Sequence, residues 1–108
     1  MMIDAESLTT IATRAANAAG GPARVFVFGS YARGDAKEDS DLDLLIIEPK
    51  LADKAEEYLR LRSAIGRIGI GVDLLLFSEA EFSERSQVPG TLPYWAAREG
   101  KLLHERRA

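Results

Sequence analysis

Asp41, Asp43 and Asp73 are the residues of this 108-residue sequence whose type and spacing suit metal chemistry. Asp41 and Asp43 run straight into the apolar block Leu44-Leu45-Ile46-Ile47, and Asp73 interrupts the apolar stretch "IGVDLLLF". Side chains alternate along a strand, so Asp41 and Asp43 share a face and lie about 6 to 7 Å apart along the chain. Three anions gathered at one place repel each other and lose hydration, and a divalent cation with oxygen ligands relieves both penalties. An aspartate set without histidine or cysteine suits Mg²⁺ or Mn²⁺. A single aspartate at a strand end is ordinarily a solvated residue. The Asp-x-Asp entering an apolar strand, with a third aspartate in a second strand, sets these three apart.

A second chemical signal precedes them. Val25 to Phe28 reads as a short strand stopped by Gly29-Ser30, and residues 30 to 34 as a short helical turn. Glycine lets backbone pass close to a ligand, and Ser30 suits an N-cap with a hydroxyl to spare. Amides at a helix start suit phosphate. "GSYARG" lacks the Gly-Lys-Ser/Thr ending of a Walker loop.

These groups meet only if the elements carrying them are arranged correctly. Leu42 to Ile47 reads as a strand buried on both faces, hence central. A helix from about Leu51 to Ile65, with Ala55, Tyr58, Leu59 and Ile65 as its buried stripe, separates it from a third strand, Ile70 to Phe77. Such a crossover allows strands two and three to lie parallel, bringing Asp41, Asp43 and Asp73 to one patch. If strand two runs antiparallel to strand one, the Gly29-Ser30 turn faces that patch. Residues 4 to 19 form an amphipathic helix capped by Asp4 and ended by Gly20-Gly21-Pro22. Glu48-Pro49-Lys50 breaks the second strand. Beyond Ser78 the pattern gives a helix near Glu79 to Arg85, a Pro89-Gly90 turn, a helix through Trp95 and a short strand near Leu102-Leu103. The fold class is α/β (α+β): a small mixed β-sheet with flanking helices.

Composition bounds the function. One domain over residues 1 to 108 is expected, with 46% apolar residues and net charge −3. No apolar run spans a bilayer and no signal peptide opens the chain, so no membrane role and a cytoplasmic location are expected. Cysteine is absent, which excludes disulfides and thiolate sites. Basic residues are interspersed with acidic ones, which argues against stable duplex nucleic-acid binding.

"GSYARGDAKEDSDLDL" resembles the Gly-Ser…Asp-x-Asp signature of the DNA polymerase β-like nucleotidyltransferase superfamily, and most of all its minimal nucleotidyltransferase branch. The resemblance takes in Asp73 in "VDLLLF" and, more loosely, the tail "YWAAREGKLLHE". It implies the polymerase β-like nucleotidyltransferase fold. It also implies that Gly29 and Ser30 hold nucleotide phosphates, and that Asp41, Asp43 and Asp73 are catalytic and ligate two Mg²⁺ ions, with Mn²⁺ an alternative. Asp73 would also help deprotonate the nucleophile. Arg33 matches an arginine of the signature, as a phosphate contact or as a brace for the loop. The implied reaction moves NMP, AMP from ATP in the first instance, to a hydroxyl of a protein or small acceptor and releases pyrophosphate. Larger relatives add a helical domain that helps enclose the nucleotide. Here a second copy or another protein is expected to close the site. Small members are commonly encoded beside a helical HEPN-type partner as a toxin–antitoxin pair, which implies an antitoxin that adenylylates its toxin. The alternative is a non-enzymatic antitoxin that neutralises its partner by binding.

The remaining candidates are plainer. His104, the only histidine, is read as ordinary surface, Lys37 as solvated charge, and Tyr94 and Trp95 as core packing with an interface anchor next.

Overall fold

The structure is a computed structural model and describes residues 2–107. In chain order the elements are α1 (Ala5–Ala18), β1 (Ala23–Phe28), α2 (Gly29–Arg33), β2 (Leu42–Glu48), α3 (Lys54–Ile65), β3 (Val72–Ser78), α4 (Glu79–Arg85), α5 (Leu92–Glu99) and β4 (Lys101–Arg106). The strands form one sheet in the order β3-β2-β1-β4. β1 runs antiparallel to both of its neighbours, and β2 and β3 are parallel, joined by α3 as crossover.

Helices cover the two faces unequally. α1 and α3 pack on one face, where Ile11, Ala12, Ala15 and Ala16 meet Val25, Val27, Leu44, Ile46, Leu61 and Ile65. The alanines let α1 lie close to the sheet. α4 and α5 lie over the other face, where Phe28, Leu45, Ile47 and Phe77 gather with Ala96. β2 is buried from Leu44 to its end, as its unbroken apolar run requires of a central strand. The second face is only partly covered, and the uncovered part begins where Asp43 and Asp73 stand.

Several local expectations give way to tertiary packing. α3 starts at Lys54 rather than near Leu51, because the Asp53 carboxylate accepts the Glu56 amide at 3.0 Å and caps the helix there. Its buried residues are Glu57, Leu61 and Ile65. Ala55 is exposed, Tyr58 is half-buried and Leu59 points to solvent. Ser30 does not cap α2: the N-cap is Phe28, and Ser30 lies inside the helix. The terminal strand is longer than expected and holds His104 half-buried, opposite Val25.

Glu48 ends β2 rather than breaking it, and it is only 4% exposed. It hydrogen-bonds Glu57 of α3, which also accepts the Gly20 amide at 3.0 Å and pairs with Arg60 at 2.6 Å. Burial first, and then the bond to Glu57 and its charge, push the Glu48 carboxyl up to about 8. Its Oε2 is buried without a hydrogen-bond partner. Nearby, Arg106 of β4 donates to the carbonyls of Ala16 and Ala19 at 3.3 and 2.6 Å, closing the C-terminal end of α1.

Candidate active site

Strand pairing brings the carboxylates to the Gly29-Ser30 turn. Phe28, the last residue of β1, sits opposite Asp43, and Asp43 pairs in parallel register with Asp73. Alternation then carries Asp43 and Asp73 to the same face, beside the end of β1. When Asp43 carries a proton, its carboxyl can donate to the Asp73 carboxylate. Burial, this bond and the charges of Asp73 and Asp41 raise the Asp43 carboxyl to about 6, while Arg33, the smallest influence, pulls the other way.

Two glycines make room for the first two aspartates. Gly29 has φ +69°, a left-handed conformation, and a Cβ there would collide with the Asp43 carboxylate. Gly71, just before β3, stands in the same relation to the Asp41 carboxylate, and its carbonyl accepts the Leu42 amide at 2.9 Å. In the sequence, Gly71 reads only as part of the third strand, with no role beside Asp41. A lone glycine before a strand shows its purpose only once the partner strand is known.

Asp41, Asp43 and Asp73 line an open cleft of about 1010 Å³ together with Gly29, Ser30 and Arg33. The expected site residues therefore all border one space. Among the described residues no group of three or more histidines, cysteines, aspartates and glutamates is drawn together tightly enough to hold a metal ion. The close pair is Asp43 with Asp73, and Asp41 is turned towards Gly71. A hard divalent cation fits this donor set, because it would replace the proton that otherwise lets the paired carboxyls lie side by side.

Arg33 is engaged by acids on both sides: its Nε donates to Asp35 at 3.4 Å and its Nη1 to Glu99 at 3.1 Å. Those contacts raise its pKa, the Asp35 bond first. Glu99, the last residue of α5, also accepts the Gly29 amide at 3.1 Å. Glu99 is a site residue that no spacing rule could pick out, since it lies seventy positions from Gly29 in the chain.

The opposite wall is apolar. Leu92 and Trp95 of α5 line it, with Leu75 of β3 on the same face of the sheet. Trp95 is half exposed instead of buried in the core, and meets Tyr94 edge-on at 5.3 Å. Arg98 stacks on the other aromatic, 3.5 Å over the Tyr94 ring. The expectation of core packing fails for Trp95 because Ala96, one position on, is the residue α5 presents to the sheet.

The sequence matches a family model described as "Nucleotidyltransferase domain" over residues 9–95. It is 40% identical over 63 residues to protein adenylyltransferase MntA of Thermococcus cleftensis, covering 54% of this chain and 59% of that protein. It is also 40% identical over 53 residues to a protein of Methanocaldococcus jannaschii whose name as a protein adenylyltransferase is provisional, covering 49% and 52%. The chain thus spans little more than half the length of these curated relatives. Two crystal structures share the fold. One is a protein from Sulfolobus solfataricus described provisionally as a nucleotidyltransferase (TM-score 0.61, 22% identity, 94% of this chain and 80% of that one). The other is a toxin–antitoxin with AMP-PNP (TM-score 0.57, 19% identity, 94% and 73%). No helix among the described residues is long and apolar enough to cross a membrane.

Proposed function

Since the chain belongs to the nucleotidyltransferase domain family, we propose that it transfers AMP from ATP to a hydroxyl of a partner protein. The observation that carries this reading is the in-register Asp43–Asp73 carboxyl pair, held at the edge of the turn that Gly29 and Ser30 form. Carboxylates on adjacent strands are positioned more rigidly than carboxylates on a loop, as metal-assisted transfer demands.

In this reaction the acceptor oxygen attacks the α-phosphorus of ATP, a new P–O bond forms, and the bond to the bridging oxygen breaks to release pyrophosphate. Asp73, exposed in the cleft, takes the acceptor's proton. Asp43, half-buried against Gly29, has the more fixed carboxylate and supplies the shared oxygen face with Asp73 and Asp41. Bound there, Mg²⁺ (two ions, with Mn²⁺ able to substitute) would neutralise triphosphate charge and acidify the acceptor hydroxyl. The Gly29 amide is already given to Glu99, so phosphate contacts fall to Ser30 while Gly29 contributes space. Arg33, held by Asp35 and Glu99, braces the turn.

The names of the two curated relatives support a protein acceptor. The toxin–antitoxin neighbour supports a paired protein partner, and a helical HEPN-type toxin is the partner we assign. We take the chain to act as one minimal catalytic domain and assign the reaction to the cytoplasm, where ATP is available.

Intact-mass spectrometry tests this. The chain and whatever co-purifies with it are incubated with ATP and Mg²⁺, beside an Asp43→Asn control. An AMP-sized gain on a partner, absent in the control, supports adenylylation. No gain on any protein while a partner stays bound supports an antitoxin that acts by binding alone.

A further inference from the structure

We propose that Glu99 is a positioning residue that holds the Gly29–Ser30 turn in its nucleotide-binding shape; the inference rests on the nucleotidyl-transfer reading above. α2 begins without a side-chain cap, because its N-cap is Phe28. The Glu99 carboxylate does the capping from another element, accepting the Gly29 amide at 3.1 Å. Gly29 is the residue of the turn that most needs holding, since its φ of +69° is what leaves room for the Asp43 carboxylate.

Strand register explains how a residue so distant arrives there. Val27 of β1 pairs with Lys101 of β4. Extending that antiparallel pairing by two residues in each direction sets Gly29 opposite Glu99. Gly100 fits the junction tightly, because a Cβ there would meet the Ala96 carbonyl. Glu99 is thus fixed between the end of α5 and the start of β4.

Electrostatics gives an independent reason to see a purpose in Glu99. A carboxylate at the C-terminal end of a helix faces the negative end of the helix dipole, where a cation is preferred. Glu99 is kept there by two donors outside its own helix, the Gly29 amide and Arg33 Nη1, both on the same oxygen. One carboxylate oxygen therefore ties α5, the helix that carries Leu92 and Trp95, to the turn and to its arginine.

The test compares full-length wild type with Glu99→Ala and Glu99→Gln, each first shown to be folded by its thermal melt. Calorimetry reads binding of a non-hydrolysable ATP analogue with Mg²⁺ and, separately, of Mn²⁺ alone. Loss of one charge-assisted hydrogen bond predicts about tenfold weaker analogue binding in Glu99→Ala. Mn²⁺ binding, which depends on strand-borne Asp43 and Asp73, stays within about twofold. Glu99→Gln keeps an acceptor for the Gly29 amide and recovers most of the nucleotide affinity. Unchanged analogue binding in Glu99→Ala overturns the proposal. So does a parallel loss of Mn²⁺ binding, which would mark general damage, or a Glu99→Gln variant as weak as Glu99→Ala, which would assign the effect to Arg33. If the wild type and both variants all fail to bind the analogue, the nucleotidyl-transfer reading itself fails. Wild-type binding with no Glu99 effect overturns the positioning role alone.

Discussion

The carboxylate of Asp43 occupies the space that any side chain at position 29 would claim, so Gly29 and Asp43 form one unit built across the start of α2 and β2. A Gly29→Ala variant must push Asp43 out of line or shift the turn, and it places a Cβ at φ +69°. We expect a stability loss of about 1–3 kcal/mol in urea unfolding. Nucleotidyl transfer should fall at least about a hundredfold, because the displaced carboxylate is one the reaction needs. Near-normal activity in Gly29→Ala would show that the close packing of the pair is incidental.

Asp43→Asn should separate stability from activity. The substitution removes one of two hydrogen-bonded acids and the repulsion between them. Transfer is expected to drop by about 10²–10⁴, while the melting temperature of the metal-free protein holds or rises by a few degrees. A clear fall in melting temperature would mean that the pair is there for the fold.

Glu48 predicts how stability depends on pH. Its folded pKa, about 8, lies above the ordinary glutamate value of 4.5, so the folded protein holds a proton that the unfolded chain releases. The stabilisation is complete below about pH 4.5 and is lost as pH rises through 8. Glu57, whose pKa is lowered, acts in the opposite sense below that window. Glu48→Gln keeps a donor towards Glu57 and cannot ionise. Its unfolding free energy should therefore be flatter than wild type between pH 5 and 8.5, a range read by denaturant titration at several pH values. Parallel curves would reject the role given to Glu48.

On α3 the neighbouring leucines should behave differently. Leu61 is fully buried and Leu59 is 68% exposed. Leu61→Ala is expected to cost about 2–5 kcal/mol and Leu59→Ala within about 0.5 kcal/mol, both measured by chemical denaturation. Equal costs would contradict the helix orientation described above.

Much of this was readable in advance, for physical reasons that differ by residue. Asp41, Asp43 and Asp73 stand out because a charge entering an apolar strand conflicts with burial, and such conflicts mark function. The crossover length of α3 made parallel pairing of β2 and β3 the natural choice, and the pairing of Asp43 with Asp73 follows from it. The expected stripe of α3 holds at Ile65 and in part at Tyr58 but not at Ala55 or Leu59, because Glu57 and Leu61 share the inward face, and a buried glutamate defeats any rule based on apolar period. The size of Trp95 suggests burial in the core, whereas small Ala96 takes the inward position on α5. Glu99, Gly71 and the Glu48–Glu57 pair act through contacts between distant segments. No local pattern encodes those contacts.

The placing of β4 beside β1 has a consequence in time. β1 meets β2 across a short connection, but β4 reaches β1 only after the chain has passed through β2, α3, β3, α4 and α5. Closing that long loop costs the most chain entropy, and such distant pairings form late. Glu99 arrives with β4, so the aspartates can be aligned before the turn beside them is fastened. Recovery of nucleotide binding after dilution from denaturant should then lag behind recovery of the β1–β2 pairing and follow the slowest refolding phase.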